Sequence, residues 1–313
     1  MKNNDSPDEE SYEFGSKMPA RIKEEIEISL SIENEDARSA GKLGFMARAL
    51  VQATMPYKDP KTNLFERQNG DLTLRIMSAE RSGVPFGIYP RMLMSWLTTE
   101  AVRTQSSEIV LGESLGVFLK EMELTRGSAS QRFQVQMKSL FSSVVSVKRD
   151  GAKGYSVKNL TLVDEVEITN ADASTFWQPQ ELESAGKWKS RLLISNNFFN
   201  EITSNPVPID LRAYVGLKAS PLAMDIYAWL TYRLSYLRSV SKPIPWLLLQ
   251  MQFGSGYSLD PQGQRDFKKA FLKNLKSVLI MYPQAKVKEN PSGLILCPSP
   301  PHIPKGAGQP RLF

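Results

Sequence analysis

In the last third of the chain, apolar positions recur with a helical period. At 100° per residue, Phe267, Phe271, Leu272, Leu275, Val278 and Leu279 fall on one arc, while Arg265, Lys269, Lys273 and Lys276 fall together on the opposite side. Lys268 sits inside the apolar arc and must snorkel or pair. Asp260-Pro261 starts this helix, with a side-chain acceptor at the cap and then a residue whose fixed φ suits the first turn. Just before it, Pro245–Phe253 reads as a short apolar helix closed by Gly254. Just after it, Ala285–Glu289 and Leu294–Cys297 flank Asn290-Pro-Ser-Gly293 as a β-hairpin. Short helix, turn, basic helix and hairpin, in that order, predict a winged helix-turn-helix. A helix with one basic face fits a duplex groove, and it is also what an ordinary solvated helix presents.

An earlier stretch repeats the pattern. The apolar period of Phe45–Met55 predicts a helix. Leu64–Gln68 and Leu72–Ser78 flank Asn69-Gly70, the strongest short hairpin signal, and Leu72, Leu74 and Ile76 alternate as a half-buried strand should. Pro90–Thr104 and Glu113–Glu123 follow as helices on either side of Ile109-Val-Leu-Gly112, and Leu124–Gly127 is a turn. In the helix Ser128–Ser143, Phe133, Met137, Leu140, Phe141 and Val144 share one arc. Ser128, Gln131, Gln134, Val135, Lys138, Ser139 and Ser142 share the other, with Arg132 at its edge. Val145–Arg149 and Tyr155–Ile168 then flank Asp150–Gly154 as a basic hairpin. The Gln/Ser face suits hydrogen bonding to base edges, and the later lysine face suits phosphates.

Between the two units, Asn170–Lys189 is polar and reads as a linker. Beyond it come a strand at Arg191–Ser195, a short helix at Asn197–Thr203 and a strand at Val207–Leu211. Ser220-Pro221 then opens a long helix with a stripe of Leu222, Ile226, Trp229, Leu230, Leu234 and Leu237. Arg233 lies in that stripe and needs a partner, for which Asp210 and Asp225 are the candidates. From Pro298 onward, proline and glycine are too dense for a packed core. The expected fold is therefore α+β and mainly helical: two tandem winged-helix domains with flexible termini. The boundaries are an acidic flexible leader at 1–40 with a helix around Ala20–Ile28, a first domain at 41–170, a linker at 171–189, a second domain at 190–297 and a flexible tail at 298–313.

Charge sharpens this picture. Residues 1–40 carry eleven Asp/Glu against five Lys/Arg, a net −6, and the remainder carries 22 against 34, a net +12. A basic body points to a polyanionic partner. The single cysteine, Cys297, excludes an internal disulfide framework and a cysteine-rich zinc site. No apolar run is long enough to span a bilayer and no signal peptide is visible, so the expected location is cytoplasmic, with no membrane partner.

Enzymatic readings find little support. A strand-nicking initiator needs paired histidines for a metal and a tyrosine nucleophile, and the only histidine is His302. Gly41-Lys42 lacks the rest of a phosphate-binding loop. The carboxylates Asp71 and Glu80, or Asp164, Glu165 and Glu167, are what solvent-facing strands commonly carry. The expectation is no catalysis, no metal and no cofactor. The expected DNA contacts are Arg265, Lys269, Lys273 and Lys276 with Lys286 and Lys288 on the second wing. In the first unit they are Gln131, Arg132, Gln134 and Lys138, with Lys148, Arg149 and Lys153 on its wing.

Four segments carry a family resemblance: Ile88–Thr104 (IYPRMLMSWLTTEAVRT), Leu111–Leu119 (LGESLGVFL), Pro206–Asp210 (PVPID) and Lys218–Leu234 (KASPLAMDIYAWLTYRL). Together they resemble the RepA-type plasmid replication initiators, over about Gly41 to Ile303. The resemblance implies a protein that binds repeated sequences (iterons) at a plasmid origin, helps open the adjacent duplex and loads host replication proteins, including the host initiator and helicase. It also implies two winged-helix domains, the second docking on the repeat and the first contacting DNA and carrying a homodimer surface. A plasmid or phage transcriptional repressor of the same fold is the alternative. The last five residues look like the pentapeptide by which bacterial replication proteins bind the sliding clamp, with Gln309 first and Leu312 and Phe313 last.

Overall fold

The computed structural model describes residues 18–110, 119–120, 124, 128–167 and 191–304. In chain order the elements are α1 (Ala20–Asn34), β1 (Leu43–Ala47), α2 (Arg48–Gln52), β2 (Leu64–Asn69), β3 (Leu72–Ser78), α3 (Ile88–Thr104), β4 (Glu108–Val110) and α4 (Ser128–Phe141). There follow β5 (Ser143–Gly151), β6 (Gly154–Thr161), β7 (Val163–Glu167), β8 (Arg191–Ile194), α5 (Asn196–Ser204), β9 (Pro206–Asp210), α6 (Leu211–Gly216) and α7 (Pro221–Tyr236). The chain then runs through β10 (Ile244–Pro245), α8 (Trp246–Phe253), α9 (Pro261–Met281), β11 (Val287–Asn290) and β12 (Gly293–Leu296). The architecture is a mixed arrangement of helices and small antiparallel sheets.

The strands form sheets ordered β2-β3-β5-β6, β4-β8-β7, β10-β12-β11 and the pair β1-β9. The Asn69-Gly70 hairpin forms where expected, with Gly70 at φ +60, a conformation that glycine adopts without steric cost. The first basic hairpin also forms, as strands β5 and β6, but within a four-stranded sheet in which β3 pairs with β5 along its length. Phe45–Met55 is not one helix. Leu43–Ala47 is a strand paired with Pro206–Asp210, and only Arg48–Gln52 is helical. The buried positions Met46, Ala47, Leu50 and Val51 satisfy both patterns, and a partner strand 160 residues away decided between them.

Strand β8 likewise pairs with β4 and β7, so residues 191–210 supply strands to sheets that include the first half. Buried residues from Met46 to Leu296 form one continuous hydrophobic cluster. The expected linker at 171–189 and most of the helix and turn at 113–127 lie outside the described residues.

Two segments read as flexible are packed. Within the leader, α1 lies against α9 and α6: Ser29 Oγ donates to the Ile280 carbonyl at 2.7 Å, and Glu25 is buried against Arg21. Arg212 donates to the carbonyls of Ser31 and Glu35, closing the orphan acceptors at the end of α1. At the other end, the described part of the tail, 298–304, crosses α7 and the end of α9. Tyr282 Oη donates to the Pro300 carbonyl, His302 sits between Tyr227 and Tyr282, and Ile303 is buried. An extended proline-rich strip needs no ladder of its own, so it can dock where aromatic rings offer a surface.

Arg233 does not meet either carboxylate proposed for it. Asp225 is taken by Arg91 and Asp210 by Arg212. Arg233 instead lies 5.8 Å from the Tyr236 ring, and its buried Nε has no hydrogen-bond partner among the described residues.

Candidate nucleic-acid interface

The basic helix is built as its sequence dictates. The Asp260 carboxylate accepts the Gly263 N–H at 2.7 Å, Ser258 donates to it as well, and these bonds hold it below the ordinary carboxylate range. Phe267, Phe271, Leu275 and Val278 point inward, with Phe271 stacked obliquely on Phe253 and Phe267 at 5.6 and 5.7 Å. Burying each such ring contributes roughly 1.5–3 kcal/mol, enough to fix the rotation of the helix about its axis. That rotation leaves Arg265, Lys269, Lys273 and Lys276 exposed. Arg265 donates to the neutral Gln262 side-chain oxygen at 2.7 Å. Among the described residues no carboxylate pairs with any of the four. At 1.5 Å per residue they extend over roughly 16 Å of helix.

The hairpin is held to this helix by Lys268, the one cation in the apolar arc. Its Nζ bonds Glu289 at 2.8 Å and lies 4.8 Å from the Trp246 ring, so it ties α9 to β11 and α8 at once. Trp246 Nε1 adds a bond to the Asn290 carbonyl at 3.2 Å. On the other edge, Ile244-Pro245 pairs with Leu294 and Gly293. A Cβ on Gly293 would sit 2.0 Å from the Ile244 oxygen, which is why a glycine ends this turn. Lys286 and Lys288 are exposed on the hairpin arm, two residues apart and therefore on one face.

The first set of candidate contacts comes apart. Gln131, Arg132 and Lys138 are exposed on α4. Gln134 is not, being only 9% exposed. Neighbouring polar positions also turn inward: Gln136 accepts the Phe86 N–H, and the Ser139 hydroxyl bonds Ser82. The loop after β3 covers part of the face that periodicity assigned to solvent. Lys148 and Arg149 are adjacent on β5 and so project to opposite sides of the sheet. Lys148 is engaged by Asp150 at 2.8 Å and lies over the Tyr155 ring, whereas Arg149 approaches Asp71 at 3.5 Å. Lys153 is exposed at the hairpin tip. Gln309, Leu312 and Phe313 lie outside the described residues.

Sequence reasoning missed Arg91. Its side chain is fully buried, yet all its donors are used: Nε and Nη2 on Asp225, Nη1 on the Pro56 and Gly87 carbonyls, and Nη2 also on the Met55 carbonyl. A cation in the otherwise apolar run Ile88–Leu97 was the available signal. Among the described residues there is no group of carboxylates, histidines and cysteines able to hold a metal ion, and no helix long and apolar enough to cross a membrane.

A capped helix with an uncompensated cationic side, braced against a lysine-bearing hairpin, can lie along a polyanion. Comparison with known proteins adds the family. The profile for plasmid encoded RepA protein matches residues 84–244, from the loop before α3 to β10. The chain belongs to this family, the RepA-type plasmid replication initiators. The matched residues include Arg91 and Asp225 and stop before α8 and α9. Among solved structures, the chain is similar to a crystal structure of domains 2 and 3 of RctB at 12% identity and TM-score 0.47, covering 80% of this chain and 98% of that one. A second RctB domain 2–3 structure gives 11% identity and TM-score 0.46, covering 79% and 94%. Among curated proteins no sequence match is found.

Proposed function

We propose that this protein initiates plasmid replication by binding repeated sequences at its origin through α9 and the β11–β12 hairpin, without catalysing a reaction. Helices α7, α8 and α9 with the β10-β12-β11 sheet are read as a winged-helix unit whose recognition helix is α9. The observation that carries this is the side of α9 bearing Arg265, Lys269, Lys273 and Lys276, all exposed and none paired with a carboxylate among the described residues. Lys286 and Lys288 would reach phosphate on the flank of the same groove. In the first half, Gln131, Arg132, Lys138 and Lys153 remain available for a second DNA contact. Duplex opening, homodimer formation and recruitment of the host initiator and helicase complete the reading, as does clamp binding through Gln309, Leu312 and Phe313. The test is a footprint of the purified full chain on its own plasmid's repeats. Protection of a repeat array, weakened by Lys269→Ala with Lys273→Ala, is expected. Protection that survives that pair, or no protection at all, would remove α9 from the reading.

A further inference from the structure

A cleft of about 250 Å³ opens where the inner face of the four-stranded sheet meets α7 and α8, and none of the α9 cations lines it. From the sheet side come Asn69 and Arg149, and from α7 come Trp229, Tyr232, Arg233 and Tyr236. Two arginines and three aromatic rings thus face one space. Tyr232 and Tyr236 are half-exposed and edge-to-face at 5.2 Å, while Trp229 is buried as the floor. Gln52 Nε2 donates to Tyr232 Oη at 3.3 Å and Asn69 donates to the Gln52 carbonyl, so the rim is braced before anything enters it.

The charge balance of this cleft is unfinished. Arg233 is half-buried with its Nε shielded from water, and no carboxylate bonds it among the described residues. A guanidinium partly shielded from water and bonded to no carboxylate among the described residues gains from an entering anion. The one carboxylate on the wall, Asp71, sits 3.5 Å from Arg149; both side chains are more than half exposed, so that bridge holds weakly and an anion can compete for Arg149. Arginine forks match phosphate oxygens, and aromatic faces accept any base.

We propose that this cleft binds a nucleotide unit, with phosphate between Arg149 and Arg233 and the base against Tyr232 or Tyr236. A free nucleotide and a nucleotide of an unpaired DNA strand share that chemistry, and the experiment separates them. The full chain is titrated by calorimetry with dAMP, with a ten-residue oligothymidylate and with inorganic phosphate. Saturation by the oligonucleotide but not by dAMP identifies a strand as the source; saturation by dAMP identifies a free nucleotide. Arg233→Met keeps the aliphatic stem and should weaken whichever probe binds by about tenfold or more. Tyr236→Leu, at the rim, should weaken it by a similar factor and serves if the arginine variant does not fold. Duplex affinity should stay unchanged in both, which keeps failure here distinct from failure at α9. The proposal is overturned if neither nucleotide probe saturates, if both variants bind as the parent does, or if inorganic phosphate binds as tightly as the nucleotide probes.

Discussion

Arg91 of α3 and Asp225 of α7 form a buried bidentate pair, at 2.9 and 2.8 Å, across 134 positions of sequence. The Tyr57 ring lies 5.0 Å from the guanidinium. Burial pushes the Asp225 carboxyl up, and Arg91 is the main influence pulling it back. Both residues fall within the family-matched segment, and together they clamp α3 to α7.

Breaking that pair from one side leaves the other charge stranded. Arg91→Ala or Asp225→Ala should each lower unfolding free energy by roughly 3–5 kcal/mol. Replacing both by apolar residues, as in Arg91→Met with Asp225→Leu, should recover part of the loss, since no uncompensated charge remains inside. Urea midpoints of the three variants check this; a double variant as unstable as the sum of the singles would contradict it.

Arg67 makes the opposite case. It is only 5% exposed, and Nη1 donates to the Met251 carbonyl, but Nε and Nη2 are buried with no partner among the described residues. Burial lowers its affinity for the proton. Arg67→Met keeps the length and removes a half-satisfied charge, so its stability should match or exceed the parent's by up to about 2 kcal/mol. A loss of more than about 1 kcal/mol in denaturant unfolding would mean the guanidinium has a partner of its own.

For α9 the measurable quantity is a salt slope. Each phosphate neutralised contributes about 0.9 to the dependence of log affinity on log salt. Lys269→Ala with Lys273→Ala should therefore flatten the slope by roughly 2 while leaving the melting temperature within a degree or two, because both side chains are exposed and neither pairs with a carboxylate among the described residues. An unchanged slope with unchanged stability would make this face an ordinary solvated one.

Much of this was legible in the chain because the determinants are local. Asp260-Pro261 and Ser220-Pro221 cap their helices as expected, with Asp260 bonding Gly263 and Ser220 bonding Ala223. Asn69-Gly70 fixes its hairpin, and Lys268, placed on the apolar arc, pairs with Glu289. What escaped was nonlocal. The strand at Leu43–Ala47 depends on β9, the inward turn of Ser139 on Ser82 in the loop after β3, and the order of α1 on Arg212 and Ile280. Arg91 went unremarked in its apolar run and Asp225 was offered to Arg233; only the fold makes them partners. Lys148 and Arg149 could have been separated earlier, since adjacent residues on a strand cannot share a face.

His302 gives the fold a pH dependence whose sign can be worked out. The Asp210 N–H donates to Tyr227 Oη at 2.9 Å, and the same hydroxyl shares a hydrogen bond with His302 Nδ1 at 2.7 Å. The other ring nitrogen, Nε2, is buried with no hydrogen-bond partner among the described residues. A charged ring would have to hold a second N–H there out of water. Burial is the main cause that pushes the imidazole from 6.5 down to about 4, with Asp210 and Arg212 opposing each other nearby. The unfolded chain therefore takes up a proton between pH 6.5 and 4 while the folded one does not, and stability rises with pH across that window. The contribution is complete above pH 6.5 and lost as pH falls through 4, on the order of 3 kcal/mol. His302→Gln should be less stable than the parent at pH 7.5 but should approach it as the buffer is taken to pH 4.5. Parallel stability curves for the two proteins over that range would show that the histidine titrates normally and that residues 298–304 are not held through it.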